Sequence, residues 1–147
     1  MATRFGGVVK AAVEVLDGQS FLDLKLRDLG RAAASAQGRI PLLLMASFAT
    51  SERIRSMVDG RATGAVPIEV FDQYISLRLT PRGDFFRDIS GSPSPYAPGH
   101  GDLPYALRAS GLLDRLTSSG IELLYMTNVD NLGATLDPAV IGLHLES

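Results

Sequence analysis

The sequence contains no cysteine among its 147 residues, which excludes disulfide bonds and thiolate metal sites. It also lacks any apolar run near the ~20 residues that a membrane-spanning helix needs. Basic residues are not in excess, since 14 Lys and Arg stand against 16 Asp and Glu, for a net charge of −2. Such a chain has no electrostatic reason to bind nucleic acid or a membrane surface. We therefore expect a cytoplasmic protein that binds neither.

The usual signs of nucleophilic catalysis are missing as well. The chain has no Gly-X-Ser-X-Gly motif and only two histidines, of which His144 lies in a helical pattern with no chemical context. What the sequence does have is 46% hydrophobic and 20% charged residues, a composition typical of a globular domain with a real core. A polyanionic ligand would have to be held locally, by a few well-placed groups.

Helical and strand-like patterns alternate along the chain, which predicts an α/β fold with a mostly parallel mixed sheet flanked by helices. Helices are expected over 21–36, 51–60 and 104–116 and from 137 onward. Strands are expected over 40–45, 67–71, 74–79 and 121–126. In open sheets of this kind, ligands bind at the carboxyl ends of the strands. Polar turns follow three of the predicted strands, so we expect a binding site there.

The segment Tyr96–Asp102 is the most unusual stretch of the chain. Pro98 fixes its own φ, and Gly99 and Gly101 have access to backbone angles closed to other residues. Between the two glycines, His100 offers ring nitrogens that can bind an anion, close to the start of the predicted helix. The segment is therefore either a ligand-binding loop or a plain turn.

Further candidates lie beside the other strand ends. Asn128 and Asp130 offer oxygen ligands of the kind that Mg²⁺ prefers, although an aspartate in a turn often only bonds its own backbone. The side chain of Gln73 both donates and accepts, which suits the edge of a pyrimidine, unless it is simply an exposed loop residue. Lys10 could be a point charge for phosphate, unless it is an ordinary exposed lysine with no specific role.

Taken in order, these motifs resemble the UTP–glucose-1-phosphate uridylyltransferase family, the UDP-glucose pyrophosphorylases. Leu43–Thr50, Phe71–Gln73, Pro98–Asp102 and Asn128–Ala134 carry most of the likeness, and Gly6-Gly7 with Lys10 resembles the end of the family's Gly-rich nucleotide loop. Ala46 and Ala2 depart from the usual asparagine and glycine. The resemblance implies a Rossmann-like nucleotidyltransferase that forms UDP-glucose and pyrophosphate from UTP and glucose 1-phosphate with Mg²⁺.

The resemblance also implies a role for individual residues. Lys10 and His100 would be catalytic through contact with phosphate, and Asp130 would hold the metal. The remaining positions would bind substrate, with the uracil framed by two side chains and approached by glycine backbone: Met45, Gln73, Gly99, Gly101 and Asn128.

Residues 1–147 are expected to form part of a single nucleotide-binding catalytic domain that lacks its first strand and its C-terminal portion. On this interpretation buried strands such as 42–45 or 121–126 would expose backbone and apolar surface, so we expect poor solubility and no UDP-glucose formation by the chain alone. The alternative function is a non-catalytic uridine-nucleotide-binding module or an inactive fragment. The oligomeric state and the sugar specificity are left open.

Overall fold

Helices and strands alternate along residues 8–146, the part of the chain that the structure, a computed structural model, describes. The predictions for Ala2 and Gly6-Gly7 lie outside these residues. The strands are Glu14–Leu16 (β1), Gln19–Ser20 (β2), Leu42–Ala46 (β3), Ile68–Asp72 (β4), Ser76–Leu77 (β5) and Pro95–Tyr96 (β6). The helices are Phe21–Ser35 (α1), Ser51–Val58 (α2), Leu103–Ala109 (α3), Leu112–Ser118 (α4) and Pro138–Glu146 (α5). Within the described residues, no helix is long and apolar enough to cross a membrane.

The predicted parallel sheet is represented by β3 and β4, which pair with each other. Leu42 N donates to Pro67 O at 2.8 Å, and Gln73 N donates to Ala46 O at 2.9 Å. Both strands therefore advance in the same direction. This pair confirms the α/β character expected from the two apolar runs.

The chain divides into two compact units. The first comprises the described residues 8–42, 56–69 and 125–146, and the second comprises 43–55 and 70–124. In the first unit, α1 buries Leu22 completely and Ala33 almost completely. In the second, the core cluster consists of Phe71, Ala106, Leu107 and Leu112.

Helix α1 begins where the sequence predicts, because Ser20 and Asp23 form a capping box. Asp23 N donates to Ser20 Oγ at 3.2 Å, and Ser20 N donates to Asp23 Oδ2 at 2.7 Å. Just before it, Asp17 and Gly18 both have positive φ and close the β1–β2 hairpin, as expected for an Asp-Gly turn. The helix ends one residue earlier than predicted, and Gln37 rather than Gly38 has positive φ.

The prediction of a buried strand over 121–126 is wrong. This segment has no regular secondary structure, and Leu123, Leu124, Tyr125 and Met126 are 44–59% exposed. Its first amide, Ile121 N, donates to Leu116 O at 3.0 Å and so ends α4. An apolar run forms a strand only if a neighbouring strand pairs with it, and among residues 8–146 none does.

Two further predicted elements differ in length. The strand expected over 74–79 shortens to Ser76–Leu77, although the chain continues as a ribbon through isolated bridges such as Leu79 with Phe85. The helix expected over 104–116 is broken at Gly111, whose φ is +71°. Glycine tolerates this left-handed conformation, so α3 and α4 become separate helices.

Candidate functional site

The predicted site residues fall into two groups, one in each unit. Lys10, Asn128 and Asp130 belong to the first unit. Met45, Gln73, Gly99, His100 and Gly101 belong to the second. Each group is built from segments far apart in sequence, so the fold brings distant residues together within each unit.

In the second unit, two hydrogen bonds join the 99–102 loop to the residues that follow β4. The donor belongs to the loop in one of them and to the residues after β4 in the other. Gly99 N donates to Gln73 Oε1 at 2.8 Å. Tyr74 N donates to Asp102 Oδ2 at 2.6 Å. Each segment thus provides one backbone amide and one side-chain acceptor. We call this pair of contacts the loop clamp.

Asp102 lies directly before the predicted helix and two residues before Pro104, a sequence position at which an aspartate is expected to cap the helix. In the structure Asp102 does occupy the N-cap position of α3, but its side chain makes no capping hydrogen bond. It is buried instead, and its carboxylate accepts from Tyr74. A carboxylate that caps a local helix and one that fastens a distant strand end look the same in sequence, so the clamp could not be predicted.

The two glycines of the loop differ in what they require. Gly99 has φ +90° and ψ −154°, a combination that is essentially restricted to glycine. Gly101 does not have positive φ, and a Cβ built on it would meet no atom within 4 Å. Of these two glycines, Gly99 therefore uses a backbone angle that other residues rarely adopt, and Gly101 does not.

His100 and Met45 occupy different surroundings. His100 is exposed in the short 3₁₀ helix His100–Asp102 that leads into α3. Met45, at the end of β3, is partly buried and packs against the core cluster of the second unit. After β3 the chain turns sharply, and Ser47 N donates to Thr50 Oγ1 at 3.0 Å.

In the first unit, Lys10 and Asp130 form an ion pair. Lys10 Nζ lies 2.9 Å from Asp130 Oδ2, and the two side chains are 35% and 27% exposed. Asn128, two residues before Asp130, is exposed, and its carbonyl accepts from Asn131 N at 3.1 Å. The predicted phosphate-binding lysine and the predicted metal-binding carboxylate thus neutralise each other's charge.

Sequence reasoning missed Lys25, which is buried on α1. Its Nζ donates to Ala134 O at 2.7 Å, in the same turn region as Asp130. Burial lowers the pKa of Lys25 below its usual range, and the nearby Asp28 carboxylate offsets this effect only in part. The signal was present in the helical spacing, because position 25 lies three residues after Leu22 and four before Leu29.

A shallow cleft of about 240 Å³ opens beside α1, and none of the predicted site residues lines it. It is lined by Leu16, Leu24, Lys25, Arg27, Asp28, Arg31, Leu132 and Thr135.

The profile of the UTP–glucose-1-phosphate uridylyltransferase family matches residues 1–147. The chain belongs to this family. It is similar to the enzymes of that name from Saccharomyces cerevisiae, at 34% identity, and Solanum tuberosum, at 36%. The matches cover 94% and 90% of this chain but 28% of each relative, so the family member spans little more than a quarter of their length.

Solved structures of this family share the fold. A mutant UDP-glucose pyrophosphorylase of Leishmania major, in complex with UDP-glucose, matches with a TM-score of 0.77 at 27% identity. It covers 93% of this chain, which corresponds to 30% of the Leishmania chain. A UDP-glucose phosphorylase of Trypanosoma brucei matches with a TM-score of 0.79 at 28% identity, with the same coverage. The Rossmann-like nucleotidyltransferase fold is thereby shown for the part present here.

Proposed function

We propose that this family member acts in uridylyl transfer from UTP to glucose 1-phosphate, which yields UDP-glucose and pyrophosphate. The observation that carries the proposal is the family match over residues 1–147, which includes every residue of the loop clamp and of the Lys10–Asp130 pair. The reaction is the one that the names of the relatives state. The loop clamp and the Lys10–Asp130 pair would provide the contacts with the base and the phosphates that this reaction needs.

The reaction requires positioning and charge neutralisation rather than a protein nucleophile. A phosphate oxygen of glucose 1-phosphate attacks the α-phosphorus of UTP in line, and pyrophosphate leaves. Lys10 and His100 would balance phosphate charge, which grows on the leaving group as the bond breaks. Holding both substrates in an aligned geometry provides the remaining acceleration.

The base would be recognised by the loop clamp. Gln73 Oε1 already accepts from Gly99 N, so its Nε2 is the group that remains to donate to a carbonyl oxygen of uracil. Gly101 leaves open space where a side chain would otherwise stand, and a flat base would then approach the backbone there. Met45 would contribute an apolar edge.

The residues present fit Mg²⁺ only together with the nucleotide. Among residues 8–146 there is no group of three His, Asp or Glu side chains that would hold a metal alone. Mg²⁺ commonly binds one or two carboxylates and completes its shell with phosphate oxygens and water, so Asp130 with Asn128 nearby would suffice. When bound, the ion would neutralise phosphate charge. When UTP binds, with or without the ion, Lys10 would exchange its contact with Asp130 for one with phosphate.

A direct assay of the purified chain tests the proposal. UTP, glucose 1-phosphate and Mg²⁺ are mixed with the protein, UDP-glucose is followed by chromatography, and UTP binding is measured separately by calorimetry. UDP-glucose that forms only when both substrates are present supports uridylyl transfer. UTP binding without any product favours the alternative, a non-catalytic uridine-nucleotide-binding module or an inactive fragment. Absence of UTP binding contradicts the proposed nucleotide site.

A further inference from the structure

Lys25 is a charged residue on the buried face of α1. It is 8% exposed, and of the buried polar residues that the structure describes between 8 and 146 it alone carries a positive charge. An ammonium group loses its hydration on burial, which is costly unless a hydrogen bond compensates. The Ala134 carbonyl, 2.7 Å from Lys25 Nζ, provides that compensation across 109 positions of sequence.

Ala134 belongs to the segment that carries Asp130. Between residues 121 and 137 this segment has no helix or strand, and its backbone is shaped by single turns. Asn131 N donates to Asn128 O at 3.1 Å, and Ala134 N donates to Asn131 O at 3.2 Å. Without a regular element, its position depends on contacts from outside, and lysines provide two of them. Lys10 holds the side chain of Asp130, and Lys25 holds the backbone four residues later.

We propose that Lys25 is a positioning residue, whose hydrogen bond to the Ala134 carbonyl fixes the turn from which Asp130 would hold the Mg²⁺ of the bound nucleotide. The inference rests on the proposed function, since it names what orients the same site. Lys25 itself does not touch the nucleotide; it acts through the turn.

A positioning role and a purely structural one differ in their effect on global stability. Replacing a buried cation by an apolar side chain of similar length removes the cost of desolvating the charge, and this gain offsets the hydrogen bond that is lost. Lys25→Met should therefore keep the fold while removing the donor to Ala134. The loss of order that follows from the missing hydrogen bond should be confined to the 128–134 turn.

The matched control is Arg61→Met. Arg61 also joins a distant segment to α1, through an ion pair with Asp23, and the hydrogen bonds described for it go to Asp23 and Val58. Amide hydrogen exchange of Asn131 and Ala134, measured by NMR on the nucleotide-free chain, reports the turn directly. We expect about tenfold faster exchange at both amides in Lys25→Met and wild-type rates there in Arg61→Met. Unchanged exchange in Lys25→Met overturns the inference.

The link to nucleotide is tested by UTP affinity with and without Mg²⁺. In Lys25→Met we expect the gain in affinity that Mg²⁺ provides to fall about tenfold, while affinity without Mg²⁺ stays within twofold. In an Asp130→Asn background, Lys25→Met should cause no further loss, because the two residues act through one turn. If Lys25→Met exchanges faster at Asn131 and Ala134 but keeps the wild-type Mg²⁺ dependence of UTP affinity, the positioning role is contradicted and the proposed function is not. A wild-type chain that does not bind UTP contradicts the proposed function, whatever the exchange rates.

Discussion

Gln73 accepts a hydrogen bond from the amide of Gly99, with 2.8 Å between Oε1 and N. The side chain that was predicted to bind uracil therefore also shapes the loop that was predicted to contact the same base. A substitution that removes Gln73 Oε1 would alter both the base contact and the loop. A substitution that keeps an acceptor oxygen at this position would alter the base contact alone.

Substituting Gln73 with Glu and with Ala separates these two roles. Glu keeps an acceptor for Gly99 N but loses the Nε2 donor, whereas Ala loses both. We expect both variants to weaken the binding of UTP by ~1–3 kcal/mol, the usual cost of an unmatched buried polar group. The binding of glucose 1-phosphate should change little. Calorimetry with each substrate measures this.

The control is the exchange rate of the Gly99 amide, which should stay slow in Gln73→Glu and rise in Gln73→Ala. If Gln73→Glu binds UTP as tightly as the wild type, the donor contact to uracil is refuted. Equal weakening of UTP and glucose 1-phosphate would instead assign Gln73 a structural role.

Substitution of the two loop glycines by alanine should give opposite results. Gly99→Ala places a Cβ at φ +90° and should lower the free energy of unfolding by ~1–3 kcal/mol. Gly101→Ala meets open space and should change it by less than ~0.5 kcal/mol, yet weaken UTP binding. Urea unfolding and calorimetry measure the two effects. Wild-type UTP affinity in Gly101→Ala would mean that the base does not approach the backbone at Gly101.

How far the sequence predicts the structure depends on whether the decisive interaction is local. The start of α1 was predictable because Ser20 and Asp23, three residues apart, cap it. The apolar run 121–126 was misread because a strand is decided by a partner elsewhere, which composition does not reveal. The hydrogen bond from Tyr74 N to Asp102 Oδ2 in the loop clamp is unpredictable for the same reason, since 28 positions separate the two residues.

The stability of the first unit should depend on pH through Asp23. The Ser20 hydroxyl and amide, followed by Arg61, lower the pKa of Asp23 below its usual 3.8. The folded pKa is the lower one, so the stabilisation is complete above about pH 3.8 and is lost as the pH falls through the folded pKa. Asp23→Asn should be less stable than the wild type at pH 6. The difference should shrink below pH 3.8, as measured by urea unfolding at each pH; a constant difference down to pH 2.5 would contradict the assignment.

Asp130→Asn should remove the Mg²⁺ dependence of UTP binding while the fold survives. The Lys10–Asp130 pair is partly exposed, and such pairs contribute only ~0–1 kcal/mol, so the free energy of unfolding should change little.

Lys10→Met is the matched control, because it breaks the same ion pair but leaves the carboxylate. If Asp130 binds the metal, Lys10→Met should weaken UTP both with and without Mg²⁺, since a phosphate contact is lost in either case. Asp130→Asn should weaken it only when Mg²⁺ is present, and calorimetric titrations with and without the ion distinguish the two. An Asp130→Asn variant that keeps the wild-type response to Mg²⁺ would remove this residue from the proposed metal site and leave it as the partner of Lys10.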